Sequence, residues 1–212
     1  MLTIHHLGIS QSDRVVWLCE ELGIPYTMIK YDRDPETRLA PAAYKALHPA
    51  GTAPVIEDDG LVLAESAAVV EYIAKRHGGG RLFPAPDADN YADFLYWYHF
   101  ANGSMMPAGM VGLVLGAVGL AESEDVKPLQ ARLHRAYAAV EDRLSKNDHF
   151  AGSAFTAADI MMVFPLTTMR LFVPYDISGF PAIKAYLERI VQRPAFEAAR
   201  QKADPDLPPV IN

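Results

Sequence analysis

The patterning of this chain changes character once, and that change constrains its fold more than any other feature. Residues 77–90, HGGGRLFPAPDADN, set three consecutive glycines beside Pro84 and Pro86, a composition that interrupts helices and strands alike. Ahead of this stretch, short β-type runs alternate with helical ones; behind it, every run has helical spacing. The division predicts an α/β domain over residues 1–78 with a small mixed sheet, a linker over 79–90, and an all-helical bundle over 91–212. In the first domain, strands are expected at Leu2–His6, Tyr26–Tyr31, Val55–Glu57 and Leu61–Leu63. Helices are expected at Arg14–Leu22, Ala42–Leu47 and Glu65–Arg76. The first helix carries Val15, Val16, Leu18, Cys19 and Leu22 on one face and stops at Gly23. Asp58, Asp59 and Gly60 mark a tight hairpin between the third and fourth strands. Beyond the linker, helices are expected at about 88–106, 124–145, 156–171, 180–191 and 194–202.

Several function classes are disfavoured by composition. The 26 acidic residues outnumber the 19 basic ones, for a net charge of −7, and no dense Lys/Arg cluster follows a helical face, so a nucleic-acid partner is not expected. The longest apolar run, Met105 to Leu120, is broken by Pro107 and four glycines, so a membrane span is not expected and the chain reads as soluble. The N-terminus MLTIHHLGIS lacks a basic stretch leading into an apolar core, so export is not signalled. The single cysteine, Cys19, permits no internal disulfide and fits a cytoplasmic location. It falls on the apolar face of the first helix and reads as a core thiol. The histidines lack metal-ligand spacing, and His5 and His6, adjacent on a strand, point to opposite faces; no metal is expected.

The most informative segment is GTAPVIEDDGLVLAESAAVVEYI, Gly51 to Ile73. Pro54 precedes a strand, where its missing N–H costs nothing. With a cis Ala53–Pro54 bond, the main chain of Ala53 is placed to pair with an extended peptide in the manner of strand addition; an ordinary trans proline at a strand start is the plainer alternative. Glu65 and Ser66 open an apolar-periodic helix. There the exposed N–H groups and the Ser66 hydroxyl suit a carboxylate, and Glu65 suits an ammonium; taken alone, the pair favours simple capping. Together the two features describe a receptor for a short acidic peptide.

TAPVI followed by LAESAAVVEYI resembles the glutathione site of the cytosolic glutathione transferase superfamily, and the likeness extends over nearly the whole chain. It implies a thioredoxin-like first domain with a four-stranded mixed sheet, followed by an all-α domain. It also implies a cis Pro54, an Ala53 main chain that pairs with the cysteinyl backbone of glutathione, and Glu65 and Ser66 on the γ-glutamyl group. The stretch HHLGISQSDRVVWLCEELGIPY resembles the serine-type, theta-like and related bacterial or fungal branches. Their pattern, aligned on Ser10, Gln11 and Arg14, places the role of holding the glutathione sulfur as a thiolate on Ser10. Ser12 is the competitor, although by position Ser12 and Asp13 better fit the N-cap and first turn of the helix. Relatives of this type often carry a basic residue just ahead of the proline for the glycine carboxylate; here that position is Thr52, leaving Arg38, then His48, as substitutes.

In the second domain, Thr156 and Asp159 have capping-box spacing ahead of an apolar run and resemble the buried cap of the superfamily's sixth helix. Along DFLYWYHFANGSMMPAGM most aromatics should pack in the core, with Tyr98, Asn102, Met105 and Met106 as candidates to line a pocket for a small hydrophobic electrophile. Gly109 to Gly119 reads as a mobile segment or a loosely packed helix end. The resemblance implies a homodimeric transferase that uses glutathione as cosubstrate. Peroxidase, isomerase or dehalogenase chemistry on the same thiolate, or a glutathione-binding module with little turnover, stays open.

Overall fold

The computed structural model describes residues 1–211. The chain forms two compact units: Met1–Phe83 joined by Gln192–Pro208, and Pro84–Val191 joined by the residues from Pro209. The first unit carries strands β1 (Thr3–Leu7), β2 (Thr27–Tyr31), β3 (Val55–Asp58) and β4 (Leu61–Ala64), with helices α1 (Asp13–Leu22), α2 (Ala42–Lys45) and α3 (Ser66–Arg76) between and after them. The sheet order is β2-β1-β3-β4. β1 runs parallel to β2, with Thr3 opposite Thr27, and antiparallel to β3, with His5 opposite Val55; β3 pairs antiparallel with β4. This is the thioredoxin-like arrangement the resemblance implied.

Local chemistry accounts for these boundaries. α1 buries Val15, Val16, Leu18, Cys19 and Leu22 and ends where Gly23 turns to φ 64°, its N–H reaching back to the Glu20 carbonyl at 3.3 Å, the left-handed stop that glycine adopts without a Cβ penalty. Asp59 and Gly60 both have positive φ, 48° and 88°, as a two-residue type I′ hairpin requires. The central strands β1 and β3 bury Ile4, Val55 and Ile56 completely, whereas the edge strands β2 and β4 are largely exposed.

A further helix, Pro194–Ala203, packs on α1 within this unit. Phe196 meets Trp17 edge-on at 5.0 Å, Arg193 donates to both oxygens of Glu21 at 2.7 and 2.8 Å, and Lys202 reaches Glu20 at 2.6 Å. The fork of Arg193 on one carboxylate fixes direction as well as distance.

The second unit is helical: α4 (Tyr91–Phe100), α5 (Met106–Ala117), α6 (Lys127–Leu144), α7 (Ala157–Leu166) and α8 (Pro181–Val191). The helix Pro194–Ala203 is therefore α9. A π-helical turn, Ala101–Met105, joins α4 to α5, so that Tyr91–Ala117 is one continuous helix of 27 residues. By length and composition it is long and apolar enough to cross a membrane, with 22% of its most apolar stretch buried. This corrects the sequence expectation on two points, since the helix was expected to stop near residue 106 and the apolar run to be broken at Pro107. At the turn the Met106 N–H bonds back to the Ala101 carbonyl, so the α-type ladder is already shifted where Pro107 lacks its donor. The helix expected over 156–171 also differs. It ends at Leu166 just past Pro165, Thr167 leaves helical geometry at φ −124°, ψ −91°, and a 3₁₀ turn covers Thr168–Leu171.

α7 is buried along its whole length, and a fully buried helix cannot leave its first N–H groups to water. The Thr156 side chain accepts from the Asp159 N–H in a capping box, which the Asp159 carboxylate closes. That carboxylate accepts from the Thr156 N–H at 2.9 Å, the Thr156 hydroxyl at 3.2 Å, the Phe150 N–H at 3.2 Å and the Tyr186 hydroxyl at 3.0 Å. Glu141 on α6 does the same for α8, accepting from the N–H groups of Ala182 and Ile183 at 2.9 and 3.0 Å. Replacing Asp159 by Ala removes a cap and strands several buried donors, and should cost about 3 kcal/mol in urea unfolding; Asp159→Asn, which keeps one acceptor oxygen, should cost less.

Candidate active site

The loop between β1 and α1, Gly8–Ser12, is clamped from both sides. On one side Gly8 donates to the Tyr31 carbonyl at 3.0 Å, while Arg33, just past β2, donates to the carbonyls of Gly8 and Ile9 at 2.8 and 3.0 Å. On the other, Asp204 at the end of α9 accepts from the Ile9 N–H at 3.0 Å. Ile9 sits at φ 53°, a conformation disfavoured for a β-branched side chain and held only where its surroundings determine it. A Cβ on Gly8 would lie 3.4 Å from Asp204 Oδ1, in van der Waals contact with the carboxylate.

Ser10 lies in this loop and retains 5% exposure, whereas Ser12 and His6 have none. The Ser10 Oγ is 2.7 Å from the Leu7 carbonyl and 2.7 Å from the Ser12 Oγ, and it accepts from the Ser12 N–H at 3.2 Å. Ser12 occupies the N-cap position of α1, but its backbone is already helical and its hydroxyl makes no capping bond. That part of the sequence expectation is corrected. The hydroxyl turns inward, 2.9 Å from His6 Nδ1, and the opposite ring nitrogen, Nε2, lies 3.2 Å from Asp204 Oδ2. His5 takes other partners, Tyr31 at 3.1 Å and Glu57 at 3.2 Å, as two adjacent strand residues facing opposite sides must.

A second polar group adjoins the first through α1. Arg14, 1% exposed, donates to the Ser66 Oγ at 3.0 Å and also to Gln11, and Ser66 donates to Gln11 Oε1 at 3.2 Å. Ser66 begins α3 and is buried; Glu65, exposed at φ 77°, stands at its N-cap. The Ala53–Pro54 bond is cis. Val55 pairs with Ala64, so Ala53 enters the hairpin at the same end from which Glu65 and Ser66 leave it. Thr52 and Arg38 are exposed; Arg38 has φ 61° and offers its carbonyl to Arg33 at 2.9 Å. His48 Nδ1 accepts from the Ala50 N–H at 3.1 Å.

In the helical unit, Tyr98 and Met105 are buried, at 2% and 1% exposure, while Asn102 and Met106 are half-buried. A cavity of about 290 Å³ opens beside the same helix, lined by Phe100, Ser104, Pro107 and Val111 with Arg132 and Arg135 of α6. None of the four pocket candidates lines it, because they follow a different stripe of the helix. Cys19 is fully buried; burial first, then the nearby Glu20 charge, push its thiol up to about 12, which makes it a poor nucleophile.

Sequence reasoning missed His6, Asp204 and Arg33. Asp204 is 198 positions from His6 and follows a helix end with no recognisable motif, so no local signal joins them.

Residues 10–76 match the family described as glutathione S-transferase, N-terminal domain, and residues 102–194 the one described as glutathione S-transferase, C-terminal domain. Glutathione S-transferase 3 of Schizosaccharomyces pombe is 30% identical, over 96% of this chain and 88% of that protein. Among solved structures, a glutathione S-transferase from Actinobacillus pleuropneumoniae is 34% identical with a TM-score of 0.87, covering 96% of this chain and 93% of that one. A sphingomonad glutathione S-transferase complexed with glutathione is 27% identical with a TM-score of 0.76, covering 95% and 98% respectively.

Burial alone would raise the Asp204 carboxyl, but the hydrogen bond from His6 and its charge, the Ile9 N–H and the Lys30 charge outweigh it and hold the group below the usual carboxylate range. A depressed folded value gives stability that is present above the unfolded value of about 3.9 and is lost as pH falls through the folded one. The stability advantage of the wild type over Asp204→Asn in urea should therefore shrink as pH falls below about 4.

Proposed function

The chain belongs to the glutathione S-transferase family, and from that premise we propose that it is a serine-type enzyme that holds glutathione as a thiolate on Ser10 and conjugates it to small hydrophobic electrophiles. The observation that carries this reading is the gathering, in one unit, of Ser10, Gln11, Arg14 and Ser66 with the Ala53–Pro54 end of β3. A main-chain edge at Ala53 suits the cysteinyl backbone of the tripeptide, and Glu65 and Ser66 suit its amino and carboxylate groups. The cysteinyl sulfur then falls toward Ser10.

The magnitudes are adequate. Lowering a thiol from about 8.5 to about 6.5 needs roughly 2.7 kcal/mol of preference for the thiolate. One hydrogen bond to a charged group supplies about 1.5–3 kcal/mol, and the nearby start of α1 adds about 0.3–1. Ser10 acts as a donor and forms no covalent bond to substrate; the nucleophile is the sulfur of the cosubstrate. Arg38, with His48 behind it, is assigned to the glycine carboxylate, Thr52 contributing no charge. Tyr98, Asn102, Met105 and Met106 are assigned to the side of the helix that meets the electrophile.

The enzyme is proposed to work in the cytoplasm as a homodimer, a reading favoured by one buried cysteine and by the exposed Tyr96, Met110, Val114 and Val118 along the long helix. Sedimentation equilibrium should give twice the mass of one chain; a strictly monomeric species removes this part.

In a chlorodinitrobenzene conjugation assay, Ser10→Ala should lose about 10²-fold in kcat/KM, as expected for deleting a donor to a developing anion. Full activity of that variant removes the assignment. Arg38→Ala should raise the KM for glutathione more than it lowers kcat.

A further inference from the structure

Ser10 as a lone donor leaves one question of chemistry open, namely where the thiol proton goes. Asp204 is an acceptor only, so the proton between it and His6 belongs to Nε2, and Nδ1 of the neutral ring is an acceptor. The Ser12 hydroxyl, 2.9 Å from Nδ1, therefore donates to it. Its own oxygen is then free to accept from Ser10, 2.7 Å away. The result is a directed chain from a nearly buried surface hydroxyl, through a buried one, to a buried imidazole seated on a carboxylate.

We propose that His6, oriented by Asp204, takes up the glutathione thiol proton through Ser12 and Ser10. This rests on the reading of Ser10 given above. The step balances within the chain. The S–H bond breaks as its proton passes to Ser10 Oγ; the Ser10 proton passes to Ser12 Oγ, and the Ser12 proton to His6 Nδ1. Thiol and imidazole become thiolate and imidazolium, with no other reactant. Every hydrogen bond reverses direction at once, so that imidazolium donates to Ser12, Ser12 to Ser10, and Ser10 to the sulfur. Thus the transfer that creates the thiolate leaves on Ser10 the proton that came from the sulfur, directed back at it; for this the Ser10 hydroxyl gives up the Leu7 carbonyl, 2.7 Å away, and turns to Ser12 when glutathione binds. After the thioether forms, the proton leaves to water before the next glutathione binds.

The charges around the ring accommodate this change. Asp204 from α9 contacts Nε2, and Asp13 from α1 stands 4.0 Å from Nδ1. Lys30 lies opposite His6 on β2, and Arg33 lies near both carboxylates. Two anions and two cations balance while the ring is neutral; the charge added by the imidazolium faces a carboxylate at each nitrogen and is offset by the thiolate formed in the same step.

The test is ¹⁵N NMR of the histidine-labelled, full-length protein titrated at neutral pH. Addition of glutathione should move His6 Nδ1 from the unprotonated to the protonated range as the ultraviolet thiolate absorbance appears. S-methylglutathione, which has no thiol proton, should leave the ring unchanged. A purely structural histidine would respond alike to both ligands. Ser12→Ala should retain S-methylglutathione binding within about twofold, yet lower kcat at neutral pH about tenfold and displace the pH profile upward by about one unit. The double variant His6→Gln, Ser12→Ala should lose no more than either single change, as expected for links in series. Glutathione bound as thiolate with His6 still singly protonated overturns the relay and leaves the Ser10 assignment standing. Failure of glutathione to bind, or full activity of Ser10→Ala, overturns both.

Discussion

The first unit depends on a single carboxylate. Asp204 offers one oxygen to the His6 ring and to the Ile9 N–H at 3.2 and 3.0 Å, and so closes the polar network at the carboxyl end of β1. A buried charge in such a place is tolerated only when its hydrogen-bonding capacity is used. Here it orients the His6 ring, holds Ile9 in a left-handed backbone, and lies within van der Waals reach of Gly8. The opposite clamp, Arg33 on two successive carbonyls, completes the confinement. The loop that carries Ser10 thus owes its shape to two distant side chains more than to its own sequence.

That origin explains how much could be read in advance. Strands, helices and the Asp59–Gly60 hairpin follow from spacing and from residues with narrow backbone preferences, and both kinds of information are local. Pro54, Glu65 and Ser66 could be singled out because their chemistry stands within one short segment. His6 gave no such indication. On a strand it is one histidine beside another, and its meaning comes from Ser12 on one side and Asp204, nearly the length of the chain away, on the other. Ser12 misled for a related reason, since a serine ahead of an apolar helix usually caps it, and here tertiary partners outcompete the local bond.

The helical unit makes the same point through backbone geometry. Glycines and Pro107 look like interruptions, and in an unmodified α-ladder a proline there would be one. A single π turn shifts the bonding pattern by one residue and lets the helix pass. Asp159, by contrast, was legible as a cap because its partner Thr156 is three residues away; its bonds to Phe150 and Tyr186 were not.

The location of Asp204 also sets an order of events during synthesis. Residues 1–83 contain every strand of the sheet, but the segment 192–208 belongs to the same unit and is made only after the intervening residues 84–191. Until it arrives, the Ile9 amide and the His6 ring lack their carboxylate. Domains commonly fold in the order of translation; this one can gather its core early but acquires its finished loop only once the helices of residues 84–191 have been made, so a nascent chain has no means of completing the Ser10 network ahead of them.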